Sequence, residues 1–180
     1  MGLVFVGGIH GAGKTTLCEE LAPLIQARHV TASELIAGEC QRMVPVGKEV
    51  ADVQTNQDAL LRAIELLRGK TPRLLLDGHF CVLGESRSPS PIAVAVFRQI
   101  DPQALLVLAA GLRTVALRLR LRDGNDYSLD ELSALQEAEL CHARCVSSAL
   151  GVPLEVLEGR EPVTCALRFL SSVCVGGRSS

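Results

Sequence analysis

The feature that most constrains the fold is a glycine-rich segment near the start of the chain. Residues 8–15 have the sequence GIHGAGKT, which fits G-x-x-x-x-G-K-[ST] at every specified position, and Thr16 follows. Glycines let successive backbone N–H groups turn toward a phosphate, and a helix that starts near Gly13 adds the positive end of its dipole. The segment therefore predicts a phosphate-binding loop.

The surroundings of the loop favour this prediction over a glycine-rich turn that binds nothing. Residues 3–6 form a short apolar run, and leucines at positions 17, 21 and 24 follow at helical spacing. We expect Lys14 to reach the β- and γ-phosphates of a nucleotide and the Thr15 hydroxyl to bind Mg²⁺. The predicted nucleotide-binding residues are Gly8, His10, Gly11, Ala12, Gly13, Lys14, Thr15 and Thr16.

The length and the charge of the chain narrow the class of protein. With 180 residues, the chain suits one domain with a sizeable core, which we place at residues 1–175. The net charge of −2 gives no general attraction to nucleic acids or membranes. The sequence has no signal-peptide pattern and no apolar run of membrane-spanning length, so we expect a cytoplasmic protein.

The seven cysteines are an odd number, are scattered, and include no C-x-x-C pair. In a reducing compartment this pattern predicts small buried hydrophobic side chains. Cys141, His142 and Cys145 fall on one predicted helix, where we expect two buried thiols rather than a zinc site.

Short apolar runs alternate with helical patterns along the whole chain, which predicts an α/β fold with a parallel sheet and helices on both faces. We predict strands at residues 3–6, around 30, and at 74–76, 105–108 and 153–157. We predict helices at residues 13–28, 31–36, 50–69, 90–97, 112–122, 128–150 and 163–173. Residues 40–47 and 83–91 are predicted loops, and residues 176–180 a disordered tail.

A carboxylate follows the apolar run at residues 74–76. Asp77 is thereby placed at the carboxyl edge of a buried strand, where open α/β sheets bind their ligands. Phosphoryl transfer needs charge neutralisation, so Asp77 is the expected partner of Thr15 in holding Mg²⁺, directly or through water. The same carboxylate can instead act as a base toward a hydroxyl acceptor, and the sequence leaves both roles open.

Three arginines precede a flexible segment of Asp, Gly and Asn at residues 123–126. On a helix, Arg118 and Arg122 share a face, whereas Arg120 lies roughly opposite. Arginines beside such a hinge can close over a triphosphate and spread its transition-state charge. We expect this role for Arg118 and Arg122, the alternative being a solvated basic face.

These parts together resemble the adenylate kinase-like group of small P-loop kinases, above all the archaeal-type adenylate kinases and small P-loop ATP-binding proteins. The resemblance rests on the loop at residues 8–16, the segment 31–36, the Asp-Gly-His step of Asp77 and His79, and the arginine-bearing helix. It implies a five-stranded parallel sheet in the order 2-3-1-4-5, a three-layer P-loop NTPase fold, an acceptor-binding part within residues 31–70 and a short lid at residues 120–128.

The segment at residues 32–37 departs from that family. Where typical adenylate kinases have T-G-D-L/M-L-R, this chain has ASELIA, which lacks the threonine and the phosphate-clamping arginine. Arg42 and Lys48 are nearby candidates to replace that arginine. We expect acceptor contacts from Ser33, Glu34, Gln57 and His79, although Glu34 also fits the acid of a capping box that begins at Thr31.

The sequence predicts an ATP- and Mg²⁺-dependent phosphotransferase with Lys14, Asp77, Arg118 and Arg122 as its catalytic residues. A nucleoside monophosphate is the first acceptor to expect from the resemblance, with a hydroxyl compound as the other choice. The chain lacks the guanine-reading N-K-x-D run, which favours ATP over GTP. The alternative is an ATPase or nucleotide-dependent switch that regulates a partner protein or an RNA-processing or defence complex.

Overall fold

The computed structural model describes residues 2–43, 53–68, 70–83, 88–124 and 126–176. The strands are β1 (Gly2–Gly7), β2 (Arg28–Thr31), β3 (Arg73–Asp77), β4 (Cys81–Leu83), β5 (Pro89–Pro91), β6 (Ala104–Leu108) and β7 (Leu154–Leu157). The helices are α1 (Lys14–Leu24), α2 (Ala32–Met43), α3 (Val53–Leu67), α4 (Val94–Ile100), α5 (Leu112–Asp123), α6 (Leu129–Leu150) and α7 (Pro162–Gly176).

Five strands form one parallel sheet in the order β2-β3-β1-β6-β7. Counted among the strands of this sheet alone, the order is 2-3-1-4-5, so the predicted fold class is confirmed. The carboxyl ends of β1 and β3 lie side by side, with Val6 paired to Asp77. This pairing places the glycine-rich loop after β1 next to the carboxylate that ends β3.

Both faces of the sheet are covered, which explains why its strands are continuous apolar runs. In β3, Leu75 belongs to the core on the side of α1 and α7, whereas Leu74 and Leu76 belong to the core on the side of α3, α4 and α6. The second core contains three phenylalanine rings, Phe5, Phe80 and Phe97, whose centroids are 5.0–5.3 Å apart. The ring of Phe80 fixes the chain just beyond Asp77.

Two helices begin with the capping boxes that the sequence predicts. The backbone N–H of Glu34 donates to Thr31 Oγ1, and the backbone N–H of Thr31 donates to the Glu34 carboxylate. Ser128 and Glu131 make the same exchange at the start of α6. That helix ends at Leu150, as predicted, and Gly151 follows in the left-handed conformation that glycine favours.

Several predicted boundaries are wrong. Helix α1 ends at Leu24 rather than at residue 28, because a turn at Gln26 (φ 53°) leads into β2. Helix α2 continues to Met43, so residues 40–43 are helical rather than part of a loop. Residues 44–47, the rest of that predicted loop, lie outside the described residues, as does the predicted helix stop at residue 69.

The prediction of a loop at residues 83–91 also needs correction. Strands β4 and β5 form a separate antiparallel pair, in which Cys81 faces Pro91 and Leu83 faces Pro89. Pro91 therefore ends a strand instead of opening a helix, and α4 begins at Val94 after Ala93. Residues 84–87 lie outside the described part of the chain.

The cysteines are less uniformly buried than predicted. Cys18 and Cys81 are buried, but Cys141 and Cys145 are exposed, because both lie on the solvent side of α6. Among the described contacts, His142 forms no hydrogen bond with a cysteine. Its Nε2 lies 2.6 Å from the carbonyl oxygen of Ile92. Gly176 is the last residue of α7 rather than the start of a tail, and residues 177–180 lie outside the described range.

In the described part of the chain, no helix is both long enough and apolar enough to span a membrane.

Candidate functional site

The loop between β1 and α1 has a backbone that only glycine allows at two of its positions. Gly8 has φ +139°, and a Cβ placed there would lie 2.5 Å from the carbonyl oxygen of Leu108. Gly13 has φ +101° at the start of α1, and among the described residues no side chain caps this helix. The first backbone N–H groups of α1 therefore remain available to an anion, as phosphate-binding helices require.

A cavity of about 640 Å³ opens above this loop. We call it the phosphate cavity. It brings together elements that are far apart in sequence: the loop, the end of β3, the start of α2 and one face of α5. Its lining residues are His10, Gly11, Gly13, Lys14, Thr15, Thr16, Thr31, Ala32, Ser33, Asp77, Gly78, His79, Arg118 and Arg122.

Lys14 is held at the floor of the phosphate cavity. Its Nζ donates to the carbonyl oxygens of Gly8 (2.8 Å) and Ile9 (3.2 Å) and lies 4.0 Å from Asp77 Oδ1. Burial lowers the pKa of Lys14, while the charge of Asp77 acts in the opposite direction. The ammonium group is thus bound by neutral carbonyls and one carboxylate, an arrangement in which phosphate oxygens are stronger competing partners.

Thr15 and Asp77 form the oxygen-rich part of the cavity. Thr15 Oγ1 donates to Asp77 Oδ2 over 2.9 Å, and the Asp77 side chain is almost fully buried. Hydroxyl and carboxylate oxygens are the ligands that Mg²⁺ takes beside phosphates. These two side chains therefore fit the metal role that the sequence predicts for them.

A second donor set also includes Asp77. Ligand atoms of Cys18, His29 and Asp77 lie within 4.8 Å of one another, and His29 Nε2 has no hydrogen-bond partner. Burial strongly raises the pKa of the Cys18 thiol, which disfavours the thiolate that a soft metal needs. This set therefore suits a metal less well than the hydroxyl and carboxylate oxygens of Thr15 and Asp77 do.

The arginines near the end of α5 lie on two sides of the helix, as their spacing predicts. Arg118 Nη1 donates to the carbonyl oxygens of Gly11 and Ala12, both at 3.1 Å. Arg122 lines the same cavity and forms two hydrogen bonds to Asp123, of 2.6 and 2.7 Å. Arg120 is not among the cavity residues, and its Nε lies 3.5 Å from Asp126. Two guanidinium groups therefore border the phosphate cavity.

A histidine pair and a buried acid lie beside the loop. The ring centroids of His10 and His79 are 4.1 Å apart, and Glu139 Oε1 is 3.3 Å from His79 Nδ1. Glu139 was not predicted as a site residue, yet its side chain is only 1% exposed. Its position in the sequence could have indicated a buried contact, since Glu139 interrupts the apolar face of α6 formed by Leu132, Leu135, Ala143 and Val146.

We expect the His10 ring to make the free energy of unfolding depend on pH. Its pKa is lowered from 6.5 to about 4, mainly by burial and then by the charges of His79, Lys14 and Arg122, although the residue as a whole is exposed. Between these values the unfolded chain binds the proton better, so the free energy of unfolding falls as the pH falls from about 6.5 to about 4. We expect His10→Asn to weaken this dependence, measured by denaturant unfolding at several pH values; superimposable pH profiles of the two proteins would contradict it.

A second, smaller cavity adjoins the phosphate cavity. This acceptor cavity, as we call it, has a volume of about 230 Å³ and shares Ala32, Ser33, Gly78 and His79 with its neighbour. Gln57 and Asn56 line it, whereas Glu34 lines neither cavity. The other lining residues are apolar: Phe5, Ile36, Leu60, Val82, Ile92, Val96, Phe97 and Ile100.

A third cavity of about 400 Å³ lies on the other side of the loop. Arg118 borders both this cavity and the phosphate cavity. Much of its wall comes from two segments at the ends of strands. The segment at the end of β6 contributes residues 108–111, and the segment after β7 contributes Gly159, Arg160, Pro162 and Val163. Its size and its contact with Gly13 and Thr16 suit the base and ribose of a nucleotide whose phosphates lie on the loop. The sequence pattern did not identify these residues.

The geometry agrees with the comparison to protein-family models, in which residues 7–136 match the model described as AAA domain. The chain belongs to the AAA domain family. The matched range of this AAA domain contains the loop, Asp77 and the four arginines of α5. Glu139 and the third cavity's residues 159–163 lie beyond it.

Solved structures share the fold of this AAA domain at low sequence identity. The shikimate kinase from Acinetobacter baumannii in complex with shikimate has a TM-score of 0.60 at 14% identity, over 99% of this chain and 96% of that one. The gluconokinase from Sinorhizobium meliloti 1021 has a TM-score of 0.53 at 14% identity, over 98% of each chain. The comparison with curated proteins finds no match. The fold is therefore that of P-loop kinases.

Proposed function

We propose that this AAA domain is an ATP- and Mg²⁺-dependent phosphotransferase that acts on a small acceptor. The observation that carries the proposal is the junction of two cavities. The phosphate cavity, with its lysine, carboxylate and arginines, meets the acceptor cavity at Gly78 and His79. A simple ATPase needs the first cavity but has no use for the second.

The donor half of the proposed site lies on the loop. The N–H groups at the start of α1 and the Lys14 ammonium bind the β- and γ-phosphates, and the third cavity takes the base and ribose. Thr15 and Asp77 hold the metal, which neutralises charge on the phosphates when it is bound. The side chains near the γ-phosphate position are thereby fixed before the acceptor arrives.

The transfer itself needs positioning and charge stabilisation more than covalent help. Arg118 is anchored to the loop carbonyls, so its charge lies beside the proposed position of the phosphates. Arg122 is paired to Asp123 at the end of α5, next to the predicted lid at residues 120–128. A lid movement that exchanges Asp123 for phosphate oxygens would bring a second guanidinium to the transferring group.

Two acceptor classes fit the acceptor cavity by location. A nucleoside monophosphate follows from the resemblance to adenylate kinases, and its nucleophile is a phosphate oxygen. A hydroxyl compound is the other class, and two proteins of the same fold are named for kinases of shikimate and gluconate. Residues 31–70 contribute Ala32, Ser33, Ile36, Asn56, Gln57 and Leu60 to this cavity.

The test is a panel of acceptors assayed with Mg·ATP for ADP formation and for a phosphorylated product by mass spectrometry. The panel contains the four ribonucleosides, their 5′-monophosphates, shikimate, gluconate and glycerol. We expect one compound to raise ADP formation at least tenfold above the rate with ATP alone, with one product molecule per ADP. Slow release of inorganic phosphate, unchanged by every compound, would favour the nucleotide switch instead.

A further inference from the structure

Glu139 fixes the hydrogen-bonding state of His79. Its Oε2 accepts the backbone N–H of Phe80 over 2.9 Å, and its Oε1 accepts the backbone N–H of Cys81 over 3.2 Å. A carboxylate bound in this way acts only as an acceptor, and the same Oε1 lies 3.3 Å from His79 Nδ1. Opposite an ionised Glu139 carboxylate, a neutral His79 ring would carry its hydrogen on Nδ1 and leave Nε2 as a hydrogen-bond acceptor.

His79 occupies the junction between the two cavities. It lines the phosphate cavity and the acceptor cavity, and its side chain is 23% exposed. Glu139, by contrast, is buried behind His79 and is not among the residues that line either cavity. His79 is one of four residues that line both cavities, together with Ala32, Ser33 and Gly78, and it has the one ring nitrogen among them.

The acceptor cavity is poorly suited to an anion. Of its lining residues in the described ranges, none is lysine or arginine, and the polar ones besides His79 are Ser33, Asn56 and Gln57. Arg42, one of the two candidates to replace the missing clamp, lies 3.7 Å from Glu39 and is not part of the lining, and the other, Lys48, lies outside the described residues. Among the described residues, an anion in this cavity would have no cationic partner, which is costly in a largely apolar environment.

We propose that the acceptor is an uncharged hydroxyl compound, that its reacting O–H donates to His79 Nε2, and that Glu139 is a positioning residue for this contact. The inference rests on the proposed kinase function. The acceptor oxygen forms a bond to the γ-phosphorus while the bond from that phosphorus to the β,γ-bridging oxygen breaks. ADP leaves with the electron pair, and the hydroxyl proton moves to His79 Nε2 and from there to water.

The first experiment measures the tautomer of His79 without any turnover. Two-bond ¹⁵N–¹H NMR spectra of the full chain at about pH 8.5, above the ordinary histidine pKa, distinguish hydrogen on Nδ1 from hydrogen on Nε2. The His79→Gln spectrum identifies the resonances of His79 among the four histidines. We expect the Nδ1–H form in the wild type; the Nε2–H form or the doubly protonated ring would overturn the inference.

Glu139→Gln sharpens this test because an amide has one oxygen where the carboxylate has two. The amide nitrogen of the glutamine must then face one of the two backbone N–H groups, that of Phe80 or that of Cys81, which it cannot accept. We expect the amide nitrogen to face Cys81 and His79, because the Cys81 hydrogen bond is the longer of the two, and the ring then moves its hydrogen to Nε2 and becomes a donor. We expect the Nε2–H form in E139Q and no change in Glu137→Gln, which alters an exposed acid on the same helix. Thermal unfolding of both variants establishes that they are folded.

The second experiment measures acceptor preference. With Mg·ATP, we expect the wild type to phosphorylate a ribonucleoside or glycerol faster than any ribonucleoside 5′-monophosphate, shikimate or gluconate. His79→Leu should lower kcat/KM for that compound about tenfold or more, with the KM for ATP unchanged, and His79→Gln should retain more activity, because its amide oxygen can still accept an O–H. E139Q should lower the same ratio, whereas E137Q should not.

The outcomes separate this inference from the proposed function. A faster reaction with a monophosphate or a carboxylate would overturn the inference and leave a kinase. Equal activity of H79L and the wild type would do the same. A wild-type Nδ1–H tautomer that is lost in E139Q supports the arrangement of Glu139 and His79 by a measurement that needs no acceptor.

Discussion

Replacing Lys14 by alanine is expected to lower ATP turnover by about a hundredfold to a thousandfold, as the loss of one preorganised group at a transferring phosphoryl does. The Lys14 ammonium is buried beside the loop and is the cation nearest to Asp77 that the described contacts include. Because its present partners are two neutral carbonyls and one carboxylate, it can exchange them for phosphate oxygens. Turnover and ATP affinity are measured by ADP release and by calorimetric titration.

The control for this variant is Lys70→Ala. Lys70 is exposed and lies between α3 and β3, at the edge of the sheet opposite to the loop. We expect its turnover to equal that of the wild type. Lys14→Ala should remain folded, since Asp77 keeps its hydrogen bond from Thr15. Unchanged ATP affinity and rate in a folded Lys14→Ala protein would contradict the assignment of the loop.

The parts of the site that could be predicted from sequence are those set by local patterns. The loop motif predicts phosphate-binding roles for residues 8–16, and an apolar strand that ends in an acid places Asp77 at the same edge of the sheet. The helical spacing of Arg118 and Arg122 agrees with their common position on the cavity. Both capping boxes were visible because four consecutive residues suffice to define them.

The end of α2 could not be predicted in this way. The capping box marks only the start of the helix, and tertiary packing extends the helix to Met43. The buried side chain of Glu39 lies 4.0 Å from Arg62 of α3, a contact between elements on two sides of residues 44–52. Helices gain most of their stability from such packing rather than from propensity. A sequence pattern that ends at residue 36 therefore says little about where the helix stops.

The pair β4 and β5 was missed for a related reason. Each strand has three residues, and Pro89 and Pro91 make β5 look like a loop. Only the partner strand reveals the pairing. Glu139 is similar, since its contacts with His79, Phe80 and Cys81 span about sixty residues of sequence. Its charge on an apolar helix face was the one visible sign that a partner had to exist.

Asp77→Asn is expected to remove most of the stimulation of ATP turnover by Mg²⁺, with a loss of about a hundredfold or more at saturating ATP. Asparagine has nearly the same shape and its oxygen can still accept from Thr15 Oγ1, so the fold and the hydrogen bond at the end of β3 persist. What disappears is the buried negative charge that we propose pairs with the divalent cation. A titration of MgCl₂ at fixed ATP measures the effect as a higher metal requirement and a lower plateau.

Asp101→Asn provides the matched control. Asp101 is exposed after α4, at the edge of the sheet opposite to the loop, and its left-handed backbone (φ 50°) is one that asparagine tolerates well. We expect its Mg²⁺ titration to coincide with that of the wild type. If Asp77→Asn also gave a wild-type titration, the metal would have to be held without Asp77. A carboxylate acting only as a base would instead lower the plateau at an unchanged metal requirement, so the midpoint of the titration separates the two roles that the sequence left open.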